Sequence, residues 1–364
     1  MRVWVRRGLV IPAAIAAAAA LTALLLIHTP WARSRALAWA GDFVARYDLV
    51  LRANDLSYNA LTRRITLTDV RLAAEGHDDR PFLVAQRVEV TLPWTVFRGR
   101  FAIDHLRIDN GIVDIVRDSN GVVNLPPGSD QPTPETTRRL DLRGLTLGGL
   151  DVQYADMVGD WGVKVPQIES ALTSGALGAE GGFAVRGPLA VRLRERTLTI
   201  APFDTVMTFD GSDVTLTDAR LVSSELNAFL SGAIHRVLDS PSLELTLKGT
   251  VDLEHATKWI PPPPVPVGGL VTIDGTITGP TSDVVTTLRV SSNTLAVGRE
   301  RELTLSGPVL VTFESFSGTA LAIAPRSGGE IRADFNVPWG GTAISKATAS
   351  WRALDAQTAL DMAN

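Results

Sequence analysis

Asp104, Asp109 and Asp114 stand five residues apart, with Asp118 following. Paired carboxylates are what glycoside hydrolysis requires, one acting as acid and the other as base or nucleophile. Five is an odd spacing, however, and side chains alternate across an extended strand, so successive members face opposite ways. They do not pair. The histidines (His28, His77, His105, His235 and His255) are scattered, without the two-on-one-face spacing of HExxH, so no metal site is spelled out. Asp118-Ser119-Asn120-Gly121 begins like a calcium loop, but Gly128-Ser129 stand where the closing acid is needed. No cysteine is present, which removes disulfides, thiolate zinc and a cysteine nucleophile. The four lysines (Lys164, Lys248, Lys258 and Lys346) lie outside any phosphate loop, and GxSxG, Walker A and GxGxxG motifs are absent. An envelope hydrolase using Asp104 or Asp114 is the one catalytic reading left, and it ranks last. The expectation is a protein that is not an enzyme and that carries neither cofactor nor metal.

The stretch holding those carboxylates is built of strands. Between Arg63 and Pro127, Ile65 and Leu67, Val70 and Leu72, and Val88, Val90 and Leu92 alternate with Thr, Arg, Asp or Glu. Phe101 and Ile103, Leu106 and Ile108, then Val113 and Ile115 continue the series. Period two marks a sheet with one wet face. Asn110-Gly111 and Asn120-Gly121 read as tight hairpin turns. Such a sheet has one greasy face, and function must be sought there.

The 364 residues, 45% hydrophobic and 20% charged, are too apolar for a disordered chain. Residues 1–47 carry six arginines (Arg2, Arg6, Arg7, Arg33, Arg35 and Arg46) against Asp42, a net of +5; the rest carries 29 basic and 38 acidic side chains, a net of −9. A mildly acidic body of mixed signs is a poor partner for nucleic acid. Residues 1–7 read as a cytoplasmic basic segment. Residues 8–28 then read as a transmembrane anchor, with Leu9, Val10, Ile11, Ile15, Leu21, Leu24, Leu25, Leu26 and Ile27 in the hydrocarbon. Twenty apolar residues span a core of roughly 30 Å. The positive-inside rule keeps the arginines cytoplasmic and exports the body. Cleavage at Ala36-Leu37-Ala38 is the alternative, but the run exceeds the roughly 7–15 apolar residues of a signal peptide.

Residues 31–47 follow as an amphipathic helix with Ala36, Ala40, Phe43 and Tyr47 on one face. A first β unit (48–125), a Pro-rich loop (126–138), a second β region (139–260), a polyproline loop (261–268) and an open-ended third β segment (269–364) complete the chain. One template recurs: two alternating apolar positions, a two-residue slip, then two more. It occurs at Ile65/Leu67/Val70/Leu72, Phe101/Ile103/Leu106/Ile108, Leu140/Leu142/Leu145/Leu147 and Val214/Leu216/Ala219/Leu221, with a looser copy at Phe183/Val185/Leu189/Val191. The spacing fits a repeat in the high thirties, about the length of common structural repeats. A β-bulge is the simplest account of the slip.

The anchor, the segment TPWARSRALAWA and the unit from RRITLTDVRL to SNGVVNLPP resemble the N-terminal part of the AsmA/TamB-like superfamily of Gram-negative envelope proteins. Arg98-Gly99-Arg100, Leu106 to Ile115 and Asn124-Leu125-Pro126 carry the likeness, and FDGSDVTLTDARLVSSELNAFLSGAI and VGGLVTIDGTITG look like downstream repeats. The resemblance implies a mostly β protein: a transmembrane helix followed by an elongated, curved antiparallel β groove built from repeats. It implies a single-pass inner-membrane protein with its body in the periplasm. The expected partners are the inner membrane and phospholipid, with an outer-membrane barrel protein as a further partner. Acyl chains would lie against Ile65, Leu67, Val70, Leu72, Val88, Val90, Leu92, Ile103, Leu106, Ile108, Val113 and Ile115, each buried methylene contributing about 0.8 kcal/mol. The alternative is a scaffold for outer-membrane protein assembly or autotransporter secretion that works by strand-edge pairing. A closed sandwich core would show the same alternation, so geometry must separate the two.

Overall fold

The computed structural model describes residues 30–45, 48–59, 61–94, 103–126, 142–175, 178–237, 241–259, 265–338 and 346–363. The anchor at 8–28, Arg98-Gly99-Arg100, Phe101, most of the Pro-rich loop and Pro261 to Pro264 lie outside the described residues. Among the described residues no helix is long and apolar enough to cross a membrane. The chain is mostly β and divides into two units, Met1–Pro127 with Asp141–Asp160, and Gly128–Leu140 with Trp161–Asn364.

In the first unit, helix α1 (Pro30–Ala45) packs on β1 (Leu49–Arg52) and β2 (Asp55–Asn59). Those two strands are successive pieces of one line, both antiparallel to β3 (Arg64–Ala74). β4 (Leu83–Thr91) and β5 (His105–Arg117) follow antiparallel. β6 (Leu145–Asp156) then runs parallel to β5, with Leu106 opposite Leu145 and Ile115 opposite Tyr154. The expected all-antiparallel order therefore fails at this pair. A parallel step needs a connection of a dozen residues or more, and residues 118–144 supply it.

Asn110-Gly111 lies inside β5 rather than in a hairpin. Asn110 has φ 49°, Asp69 in β3 has φ 50° and Gly149 in β6 has φ 74°. The registers put these three in one column with Gln86 of β4 and the break at Ala53-Asn54 between β1 and β2. Pairing stays constant through the column, as Thr68 opposite Arg87 and Val70 opposite Ala85 illustrate. The slip here is thus not the expected two-against-one bulge, because the strands slip at one level, β3, β5 and β6 through positive φ at Asp69, Asn110 and Gly149 and β4 at Gln86 without it. Asp, Asn and Gly enter that region at least cost, the first two through local hydrogen bonds and the last for want of a Cβ. Asn120-Gly121 is a turn as expected, with Asp118 Oδ1 accepting the Asn120 and Val122 N–H groups at 2.9 Å.

The second unit is an antiparallel meander. β7 (Trp161–Gly175) pairs along one edge with β8 (Gly178–Val185) and β9 (Leu189–Leu193), which continue one another. β10 (Arg196–Ile200) and β11 (Phe203–Phe209) form the next line, followed by β12 (Val214–Val222), β13 (Leu226–His235) and β14 (Ser242–Asp252). Asp252 caps the short helix α2 (Leu253–Ala256), and a 3-10 turn (Thr257–Trp259) leads away from it. β15 (Val267–Gly268) and β16 (Leu270–Pro280) follow, and β16 lies beside β14, so the polyproline stretch joins neighbours in one sheet. β17 (Val285–Val297), β18 (Glu300–Val311), β19 (Ser315–Ala324), β20 (Glu330–Pro338) and β21 (Lys346–Arg352) extend the meander to helix α3 (Ala356–Ala363). In β12 the slip is a true bulge: Asp218, φ 52°, lies between the pairs Leu216–Gly232 and Ala219–Leu230, where the register shifts by one. The looser copy places its slip in the break between β8 and β9, where the Arg186 N–H donates to the carbonyl of Gln167, itself at φ 51°.

If the left-handed column sets the bend of the first unit, Asn110→Gly keeps stability within about 1 kcal/mol. Asn110→Val, a β-branched residue forced to positive φ, loses about 1–2 kcal/mol or more. Urea unfolding of both variants measures the difference; equal stabilities would separate the bend from the residue type.

Candidate functional site

Residues directly opposite one another in neighbouring strands share a face of the sheet. In the first unit this creates ladders of apolar side chains. Tyr58, Ile65, Val90, Leu106 and Leu145 form one; Leu56, Leu67, Val88, Ile108 and Leu147 form the next. Beyond the left-handed column, Val70, Ala85, Gly111 and Leu150 continue the series, and then Leu51, Leu72, Leu83, Val113 and Val152. Ile115, opposite Tyr154, keeps the alternation of Val113. Ten of the twelve groove residues named from sequence thus lie on one side. Leu92 sits just past β4, and Ile103 bridges Leu142 beside the entry of β5.

Burial along this face is graded. The row at the bend is closed: Val70 is 3% exposed, Ala85 0% and Leu150 7%. A Cβ on Gly111 would stand 2.7 Å from Leu150 Cδ1, so the Leu150 side chain occupies the space over that glycine. On either side Leu56 is buried (6% exposed), while Ile65, Leu67, Leu72, Val88, Val90, Leu106, Ile108, Val113 and Ile115 are half-buried. A closed sandwich would bury both inner faces in a core about 10 Å thick. These side chains are screened by their neighbours on the same sheet instead.

The opposite face is polar and internally paired. Arg107 Nε donates to Asp109 Oδ2 at 2.8 Å, Arg87 pairs with Glu89, and Arg64 approaches Glu89 at 3.5 Å. Asp104 is held by Arg63 at 3.3 Å and by Arg143 at 3.4 Å. Asp104 and Asp109 therefore act as ion-pair partners and Asp118 as the acceptor of its turn, while the slip at Asn110 puts the exposed Asp114 on the same face as Asp109, against the alternation expected of an odd spacing. Among the described residues no group of His, Asp and Glu could hold a metal ion.

The second unit repeats the plan on a larger scale. Leu172, Gly181, Met207, Leu216, Gly232, Leu245 and Ile277 stand opposite one another from β7 to β16. Val271, Ile273, Val290 and Leu321 form a buried cluster on this face, with Leu247, Leu288, Val309 and Phe335 packed against it. The reverse face is rich in hydroxyls, such as Thr246, Thr276 and Thr287 in one row.

A cavity of about 550 Å³ lies over this apolar face. Its lining includes Trp161, Leu198, Leu226, Val251, Val284 and Phe313. Leu243 and Val251 belong to one strand, where eight residues would separate them by ~26 Å if it ran straight. The Trp161 and Phe313 rings meet at 5.8 Å. From β7 to β18 the sheet takes eight strand-to-strand steps, roughly 38 Å if flat. The sheet of this unit therefore curls over its own apolar face. Sequence reading placed the groove in the first unit and missed this cavity, whose walls come together only through the curl.

Glu225 is the acid on the cavity lining. Burial pushes its carboxyl up, but the Lys258 ammonium and the Ser223 and Ser224 side chains outweigh that and hold it at about 2. On the reverse face, the His235 imidazole joins three strands, meeting Asp213 through Nδ1 at 2.7 Å and Glu244 through Nε2 at 3.2 Å. Asp213, then Glu244, raise His235 above its ordinary value; the Arg236 N–H, then His235, hold Asp213 at about 2. A raised histidine contributes fully below its unfolded value, about 6.5, and loses its contribution as pH climbs through the folded value. Asp213 contributes above about 4 and loses its contribution as pH falls towards 2. The clasp should be strongest between about pH 4 and 6.5. Urea midpoints measured from pH 3 to 9 should decline on the alkaline side in the wild type, and His235→Gln should flatten that limb. An unchanged limb in the variant would remove His235 from the account.

Comparison with family models, with curated proteins and with solved structures returns no match, so the functional reading of this chain rests on the geometry of its apolar faces.

Proposed function

We propose that this chain is an inner-membrane-anchored periplasmic protein of the AsmA/TamB-like superfamily, one that carries phospholipid acyl chains along an elongated apolar β groove. The observation that carries the reading is the exposure of the ladders beside the bend of the first unit. Aliphatic side chains there form continuous rows, share one face and stay half-buried. A surface of methyl and methylene groups without fixed polar contacts lowers the free energy of a hydrocarbon chain almost equally at each position. The chain can then slide while its head group stays in water. About 0.8 kcal/mol per buried methylene gives enough attraction to hold a tail. The anchor at 8–28 would place one end of this path at the inner membrane.

A second reading, a scaffold for outer-membrane proteins, draws support from β21. All its residues are exposed, Trp351 to 70%, and β20 is its partner among the described residues. Such an edge can add a strand from another chain.

Native mass spectrometry and lipid extraction on the full chain in detergent separate the two. The transport reading expects co-purified phospholipid that drops sharply in Val90→Asp and Leu106→Asp, because a charge in an apolar trough repels the tail. Proline at Thr348 in β21 should leave that lipid untouched. Lipid content unaffected by either aspartate would remove the trough as the carrier and move the edge reading to first place.

A further inference from the structure

We propose that the first unit touches the lipid bilayer through the end of its sheet at the β2–β3 turn, with Leu61, Trp94 and Trp31 in the interfacial layer. The inference rests on the membrane anchor of the reading above and adds which end of the groove meets the membrane. Leu61 is 87% exposed, Trp31 73% and Trp94 65%. A lone exposed leucine is ordinary, but tryptophan is highly buried on average. Exposed Trp and Leu together are what elements lying on a bilayer place among the head groups.

These positions are held by the fold. Asn59 Oδ1 accepts the Leu61 and Thr62 N–H groups at 3.1 Å, which fixes the turn that carries Leu61. Arg63 Nη1 donates to the Leu92 carbonyl at 2.9 Å, and its guanidinium lies 5.1 Å from the centre of the Trp94 ring. The Arg63–Leu92 link joins the start of β3 to the end of β4, so Leu61 and Trp94 belong to one end of the sheet. Helix α1 leads towards the same end. Its last residue, Ala45, accepts the Asp48 N–H beside β1, whereas Arg33 meets Asp55 at the start of β2 at 3.8 Å. Followed back through Arg33, the helix carries Trp31 beyond Asp55, towards the β2–β3 turn.

Two arguments choose a bilayer as the occupant. The apolar run at 8–28, read as the anchor, ends just before α1, so this end of the unit is held near the surface from which the anchor emerges. Arg33, Arg63 and Arg64 are engaged by Asp55, Asp104 and Glu89, so the patch offers apolar contact rather than free charge. The row of Tyr58, Ile65, Val90, Leu106 and Leu145 lies directly behind this end. A tail leaving the leaflet would meet it before any other apolar row of the unit.

The chain has no cysteine, so a single introduced one can carry a nitroxide without background. Leu61→Cys and Trp94→Cys report on the contact; Asp79→Cys, in the exposed β3–β4 turn at the far end of the sheet, is the reference. The full chain is assembled into phosphatidylcholine nanodiscs, and spin resonance measures collisions of each label with oxygen and with a water-soluble nickel chelate. The oxygen-to-nickel ratio should be severalfold higher at Leu61 and Trp94 than at Asp79, and should stay so when phosphatidylglycerol is added. Leu61 is so exposed that its variant tests the contact even where Trp94→Cys disturbs the fold. Labels as wet as the one at Asp79 overturn the contact and leave lipid carriage, which co-purification tests, standing. Shielding from both reagents marks a protein partner and overturns the bilayer as occupant. Contact only with phosphatidylglycerol overturns its apolar character. A chain absent from the nanodisc fraction overturns the anchor, and with it this inference and the membrane-anchored reading together.

Discussion

A strand that bends sharply cannot keep alternate side chains on one face unless some residue steps out of the alternation. The rest of this structure follows from where those steps fall. In the first unit they form a column through Asp69, Gln86, Asn110 and Gly149, with positive φ at all but Gln86, and because the strands slip at the same level, the pairing continues without a shift. In β12 the partner strand does not take it, and the same need produces a bulge at Asp218. Either way, the apolar members on both sides of the step face the inside of the bend. The polar residues, including the exposed Asp69, Gln86 and Asn110, stay outside.

An apolar face arranged in this way occupies an unusual energetic position. Most sheets hide such a face against a second layer. Here the first unit covers it by curvature and by neighbouring side chains, which leaves the arms half-buried. Residual contact with water forfeits part of the roughly 25 cal/mol per Å² that full burial would contribute. On the proposed lipid-carrying reading a hydrocarbon chain would recover that part, so stability and ligand affinity would be drawn from the same surface.

Much of this was legible in the residues. Alternation at Ile65, Leu67, Val88, Val90, Leu106 and Ile108 identified strands and the face they share, because period two ties sequence parity directly to side. The slip at Leu67/Val70 was visible as well, but its meaning was not. Asn110-Gly111 has the composition of a hairpin turn, and the same tolerance of positive φ serves a bend in mid-strand. The shared feature that distinguishes the bend is a single Asp, Asn or Gly at the slip, as in ITLTDVRL and VTLTDARL, with an apolar pair on either side. The parallel pairing of β5 and β6 left no local mark, since the two strands are far apart in sequence. The cavity was least legible. Trp161 and Phe313 are far apart in sequence and in strand order, and no local rule reports a curl summed over eight strand-to-strand steps.

The polar face completes the logic. Residues two apart on one strand point the same way, so Arg87 meets Glu89 and Arg107 meets Asp109 within one strand, and Arg64 of β3 reaches Glu89 as well. The His235 clasp likewise ties three strands from the outer side and leaves the lining free of its charge. Exposed pairs of this kind contribute little individually, about 0–1 kcal/mol. Their value lies in placement, because charge satisfied outside has no need of a partner within. The inner face can then remain largely hydrocarbon, with Arg192 and Glu225 the charged residues of the cavity lining. An apolar inner face and a charged outer one are thus two consequences of one division of the sheet.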